Sequence, residues 1–214
     1  MAIVINGSGT ITGISAGGLP DSCVTDADIA GMAASKLTGA LAAISGAALT
    51  GLSSGITMAD QWGITNSHQL GSTAHIFTSN WARNPNSTYG QIGTGMTESS
   101  GVFTFPSTGI YLIIGSFSFY SISSEIRYIG LRMQTSTDGM SSAINACDSY
   151  TSIGISTNFG AYGQVSDNIL FDVTDTSTHK IRFVGTTNTS SASYIAGNSS
   201  GMGSGVTFIR LGDT

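Results

Sequence analysis

Charge is what this chain has least of. Only 9% of its 214 residues are Asp, Glu, Lys or Arg, against about a quarter in ordinary globular proteins. The 7 basic residues are outnumbered by 12 acidic ones, giving a net charge of -5. So few cations cannot neutralise a run of phosphates, which excludes nucleic acid as a partner. Cysteine is equally scarce. Cys23 and Cys147 are separated by most of the chain; they can build neither a disulfide framework nor a clustered zinc site, and both are expected as free thiols. Long apolar runs are missing as well. None exceeds five residues, the length of Ile110 to Ile114, which excludes a helical membrane span. The Ala-Ile-Val-Ile run at residues 2–5 is too short for a signal-peptide core, and no basic residue precedes it.

Neutral polarity fills the gap. The chain has 33 Ser and 26 Thr, and these with 29 Gly and the 19 charged residues (7 plus 12) make up half of it. Hydroxyl-rich, weakly charged composition suits an extended β-protein exposed outside a cell. Without an export signal such a protein leaves by another route. Assembly into a virus particle released by lysis is one, and the virion is the expected location.

Three textures divide the chain. Residues 1–30 hold short β-like pieces punctuated by Gly and Pro20. Residues 31–70 open with a stretch whose Leu37, Leu41, Ile44, Leu49, Leu52 and Ile56 are evenly spaced among Ala, Ser, Thr and Gly. Each Gly inside a helix costs about 1 kcal/mol, so this spacing does not make a helix. Small residues beside an apolar seam let backbones approach, and three copies around an axis bury what one copy cannot. The stretch therefore reads as one strand of a short intertwined trimeric stalk. Residues 71–214 contain all 9 Phe and all 7 Tyr and read as a β-rich head. Alternation in "GIYLIIGSFSFY" (109–120), "IRYIGLRMQ" (126–134), "NILFDV", "HKIRFVG" and "VTFIRL" predicts eight to ten strands at sandwich-like spacing.

Two resemblances carry the reading further. "ASKLTGALAAISGAALTGL" and the segment before it resemble the low-complexity stalks of bacteriophage tail fibres and related virion appendages. "GVFTFPSTGIYLI" (101–113), with Gly101, Phe103, Thr104, Pro106, Gly109 and Tyr111, resembles the signature of complement-type and tumour-necrosis-factor-like jelly rolls. The terminal "SGVTFIRLG" resembles that family's last core strand, with Phe208 in place but Arg210 where a glycine is expected. The resemblance implies a trimeric head. The face Tyr111, Ile113, Phe117 and Phe119 is expected at the threefold axis, with Ile110, Leu112 and Ile114 filling the sandwich.

Candidate chemistry is sparse. Gly-x-Ser-x-Gly occurs around Ser15, Ser53 and Ser199, but none has the strand before and helix after that a nucleophile elbow requires. His68, His75 and His179 have no acidic residue at ligand spacing, and Asp26 and Asp28 lack the remainder of a calcium loop. Asp167 and Asp172 could serve a glycosidase only if a cleft held them together. Trp62 and Trp81 read as packing anchors. No catalytic residue, metal or cofactor is assigned.

The expected protein is all-β: a jelly-roll β-sandwich head, trimeric, with an N-terminal attachment arm and a short stalk. Its expected role is that of a short phage tail fibre, bound through the arm to other virion proteins and recognising a host surface glycan or protein. A capsid decoration or head-fibre protein is the alternative, and a glycan depolymerase a remote one. Receptor contact is expected from Ser/Thr/Asn-rich loops, at Ser121, Ser123, Thr135, Asp138, Thr187 and Asn188, whose neutral groups suit polar ligands.

Overall fold

The computed structural model describes residues 55–83, 90–154 and 160–214. The arm and the seam residues Leu37, Leu41, Ile44, Leu49 and Leu52 lie outside the described residues, as do Cys23, Asp26, Asp28, Ser15 and Ser53. Ile56 is described, and it is exposed.

In chain order the strands are β1 (Met58–Ile64), β2 (His68–Gln69), β3 (Ala74–Ile76), β4 (Trp81–Arg83), β5 (Thr97–Ser99), β6 (Val102–Thr104) and β7 (Gly109–Ser121). They continue with β8 (Ile126–Ser136), β9 (Ile144–Ile153), β10 (Ala161–Val173), β11 (Lys180–Thr187), β12 (Ser193–Ile195) and β13 (Gly205–Gly212). Among the described residues, one 3₁₀ turn, Ser190–Ala192, is the only helical piece. The strands form two antiparallel sheets. One runs β2-β12-β7-β13-β1-β4, with β10 along the other edge of β7; the second runs β5-β6-β11-β8-β9, with β3 on β11. This is a jelly-roll β-sandwich.

The sandwich forms because its strands alternate. β7 alternates buried and half-buried residues from end to end, the period-2 pattern of a strand with one face on a core. Its Phe117 packs on Phe183 of β11, in the opposite sheet, with ring centroids 5.9 Å apart, and on Phe77 at 5.7 Å. Trp81 and Trp62 both pack edge-on to Phe103, so the two tryptophans are core anchors. The β5–β6 turn uses Ser100 and Gly101, with φ of 52° and 82°, the left-handed pair that a two-residue hairpin needs. A Cβ at Gly101 would lie 2.2 Å from the Phe77 carbonyl oxygen, so only glycine fits.

One expectation changes here. The head begins before residue 71, because β1 pairs with both β13 and β4 and the compact unit spans Ser53–Thr214. β1 was hidden in the sequence because one of its buried positions is Asp60, which interrupts the apolar alternation of Met58, Trp62 and Ile64. Arg210 does alter the last strand, as its misfit with the family pattern implied. The register shifts between Arg210 and Gly212, and the Arg210 guanidinium crosses Gly109 to donate to the Thr108 carbonyl at 2.8 Å.

Candidate functional site

The face expected at a threefold axis is the core of the single chain. Tyr111, Ile113, Phe117 and Phe119 have no exposed surface and leave nothing for a partner to touch. Their rings are the bulkier set on β7, and the space between two sheets, about 10 Å deep, takes the bulkier set. The half-buried Ile110, Leu112 and Ile114 instead face outward.

That outward face forms a second surface. Register aligns Leu170 of β10, Leu112 of β7, Ile209 of β13 and Ala59 of β1 in one row across four strands. A second row runs Tyr162, Tyr120, Tyr194 across β10, β7 and β12, with centroid spacings of 5.2 and 5.1 Å. Tyr162 and Leu170 are 69% and 66% exposed. Ser116, Ser118, Gln164, Ser166, Asn168 and Thr207 lie between the rows. The outward positions of β10, β7, β13 and β1 carry one charge, Asp172.

The loop residues do not assemble into one site. Ser121, Thr135 and Thr187 are buried, and Thr187 spends its hydroxyl on Ser193 at 2.7 Å. Ser121 and Thr187 end strands and Thr135 lies one residue from the end of β8; the Ser121 and Thr187 hydroxyls, which looked like ligand contacts, serve the fold's own turns. Ser123, Asp138 and Asn188 are exposed. Ser123 and Asn188 lie at the start of β8, where the Asn188 N–H donates to the Tyr128 carbonyl, whereas Asp138 follows its end. The 11 residues of β8 span roughly 33 Å. Asp138 braces its own turn: the backbone N–H of Ser142 and the hydroxyl of Ser136 hold its carboxyl below the usual carboxylate range.

The titratable candidates separate as well. Asp167 and Asp172 point to opposite faces of β10: Asp167 accepts from Ser149 at 2.6 Å, while Asp172 is exposed. Burial acts to raise the Asp167 carboxyl, but bonds from Ser149, the Asn168 backbone and Cys147 outweigh it and hold it low. Cys147 is a free thiol, pushed up to about 12 by burial and by Asp167. His68 and His75 do meet, with ring centroids 5.5 Å apart. Burial, with the nearby His68, lowers His75, whose Nδ1 accepts the Gly71 N–H at 3.1 Å. His179 lies apart, on Phe171.

No family model matches the chain, and no curated protein matches it in sequence. Solved structures do. The chain is similar to murine APRIL at pH 5.0, with a TM-score of 0.51 and 14% identity, over 72% of this chain and 98% of that one. Structures of the same protein at pH 8.5 and pH 8.0 match over the same shares, each with a TM-score of 0.50 and with 14% and 13% identity. At such identity the likeness establishes the fold, and the fold is a tumour-necrosis-factor-like jelly roll.

Proposed function

We propose that the chain is a structural virion fibre protein, a short phage tail fibre, whose head self-associates as a homotrimer and recognises a host cell surface. The observation that carries this is the outward face of the β10–β7–β13–β1 sheet. It is nearly uncharged, and its aliphatic row and tyrosine row continue across neighbouring strands. Contiguous exposed apolar surface of that kind marks an association site, and the thinly charged chain gives like copies little reason to repel. The stalk sequence supports threefold symmetry, since its Leu/Ile seam is best buried around an axis.

The reading assigns no catalytic role. A depolymerase would need a carboxylate pair in one cleft, and Asp167 and Asp172 lie on opposite faces of their strand. A capsid decoration or head-fibre role is the second reading. The burial of Ser121, Thr135 and Thr187 favours it, because the loops then offer no single cluster to a receptor.

Light scattering tests the first step: a trimer mass at micromolar concentration is expected, and a monomer overturns the assembly. Purified protein in excess should then slow virus adsorption to host cells. Unchanged adsorption, together with weakened capsids in virions lacking the protein, would select the decoration role.

A further inference from the structure

The outer face of the second sheet carries a different surface. A register shift in β8 between Ile126 and Ile129 leaves the consecutive Arg127 and Tyr128 both exposed; bulges re-aim side chains in this way. Opposite Gly130 on the neighbouring strand stands Tyr150. A Cβ at Gly130 would lie 2.8 Å from Tyr150 Cδ1, so the ring rests against bare backbone. Tyr128 meets Tyr150 edge-on, with centroids 5.7 Å apart at 89°, and the two are 37% and 49% exposed. Together they form an aromatic corner. Asn188 fixes it, accepting from the Tyr128 N–H at 3.0 Å and donating to the Tyr128 carbonyl at 3.2 Å.

Charge gathers on the same sheet. Of the six basic residues among the described residues, Arg127, Arg132, Lys180 and Arg182 lie on β8 and β11. The single acid on β8, β9 and β11 is Asp148, which Arg132 holds at 2.6 and 3.2 Å. No carboxylate pairs with Arg127, Lys180 or Arg182 among the described residues. On β8, β9 and β11 basic residues thus outnumber acidic ones four to one, with Glu125 exposed just before β8, and the Arg127 guanidinium carbon stands 5.9 Å from the Tyr128 ring centroid.

We propose that this face binds an acidic saccharide, a carboxylated sugar of a cell-surface polysaccharide, with the sugar ring on Tyr150 and Tyr128 and the carboxylate on Arg127. The electron-rich face of an aromatic ring attracts the positively polarised C–H groups of a pyranose. A guanidinium takes a carboxylate through two parallel hydrogen bonds. Gln134 and Asn145, joined at 2.8 Å farther along the pair, place amide donors and acceptors for sugar hydroxyls. A site on paired strands is held more rigidly than one on loops. The proposal rests on the host-recognition reading above and moves the contact from the loops to a sheet. Assembly through the other sheet leaves this one open on every copy, so several weak sites act together.

The full chain is titrated calorimetrically with oligomers of hexuronic acids and of sialic acid, their methyl esters, neutral hexose oligomers and oligoglutamate. Binding to an acidic oligosaccharide is expected, weakened about tenfold by esterification and weakened further by salt. Arg127→Gln should remove the acid preference, and Tyr150→Ala should abolish binding. Because Tyr150 covers Gly130, Tyr150→Phe serves as the folding control and should bind nearly as well as the parent. Failure to bind any acidic oligosaccharide at millimolar concentration, equal binding of the esters, or equal binding of oligoglutamate overturns the proposal. Mass and adsorption competition are measured on the same preparation; if they hold while the saccharide fails, the site is lost and the fibre reading stands.

Discussion

The buried carboxylate of Asp60 accepts the indole N–H of Trp62 at 2.9 Å. It also takes the Arg83 guanidinium at 2.9 and 3.0 Å and the backbone N–H of Met96 at 2.7 Å. Arg83 lies 4.5 Å over the Trp62 ring. One carboxyl group thereby ties β1, β4 and the segment before β5 to the sandwich edge.

Asp60→Ala should therefore destabilise the head by about 3 kcal/mol, because it leaves a cation and two buried N–H donors without their acceptor. Asp60→Asn, which keeps one acceptor oxygen, should cost less. Urea denaturation followed by tryptophan fluorescence reads both.

Substitutions on the two faces of the first sheet should behave oppositely. Phe117→Ala, in the core, should cost about 3–5 kcal/mol, and Phe117→Asp should unfold the head. Tyr162→Asp, on the exposed tyrosine row, should keep the β-sheet circular dichroism spectrum and lower the mass to that of a monomer. If Tyr162→Asp leaves the mass unchanged, that face is not the association surface.

Truncation locates the head's true start. Deleting residues 1–54 keeps every described strand, so the remainder should melt cooperatively. Deleting residues 1–70 removes β1 and β2, and with them Met58, Trp62, Ile64 and Leu70 from the core. Calorimetry should show no cooperative transition for the shorter piece.

Cys147 should make the fold base-sensitive. Its thiol is raised from an ordinary value near 9 to about 12 by burial and by Asp167. A group whose value is raised by folding stabilises fully below the unfolded value and loses that contribution as pH climbs through the folded one. Stability should fall between about pH 9 and about pH 12, and Cys147→Ser should flatten that slope. At pH 8 the native thiol should resist iodoacetamide, and unfolding should release it.

Much of the fold was legible in the residues. The alternation in 109–120 marked β7, the longest apolar strand, and Pro106 and Gly109 marked the turn before it, where Tyr111 donates its hydroxyl to the Ser107 carbonyl at 2.9 Å. The short strands β2, β3 and β12 were not legible, since two or three residues carry no period. The surface residues were harder. Ser121, Thr135 and Thr187 sit in hydroxyl-rich segments indistinguishable from solvated loops, yet all three are buried and the hydroxyls of Ser121 and Thr187 are spent inside the fold. The corner of Tyr128 and Tyr150 depends on a bulge and on a glycine in the adjoining strand, and neither has a local signature.

By itself the sequence determined the class of the protein: scarce charge and period-2 apolar spacing allow a β-sandwich and exclude a helical membrane span. It also determined which residues of β7 share a face, because that follows from the strand period alone. Which face turns inward was decided only by the tertiary structure. Both faces of residues 110–114 are apolar, so over that stretch periodicity offers two equivalent answers. The choice falls to volume, since the rings of Tyr111, Phe117 and Phe119 fill the space between the sheets and the smaller Ile110, Leu112 and Ile114 are left outside. The meeting of Asp60 with Arg83 and Met96, 23 and 36 residues away, was decided in the same way. Such contacts exist only after chain topology has brought distant strands to one edge.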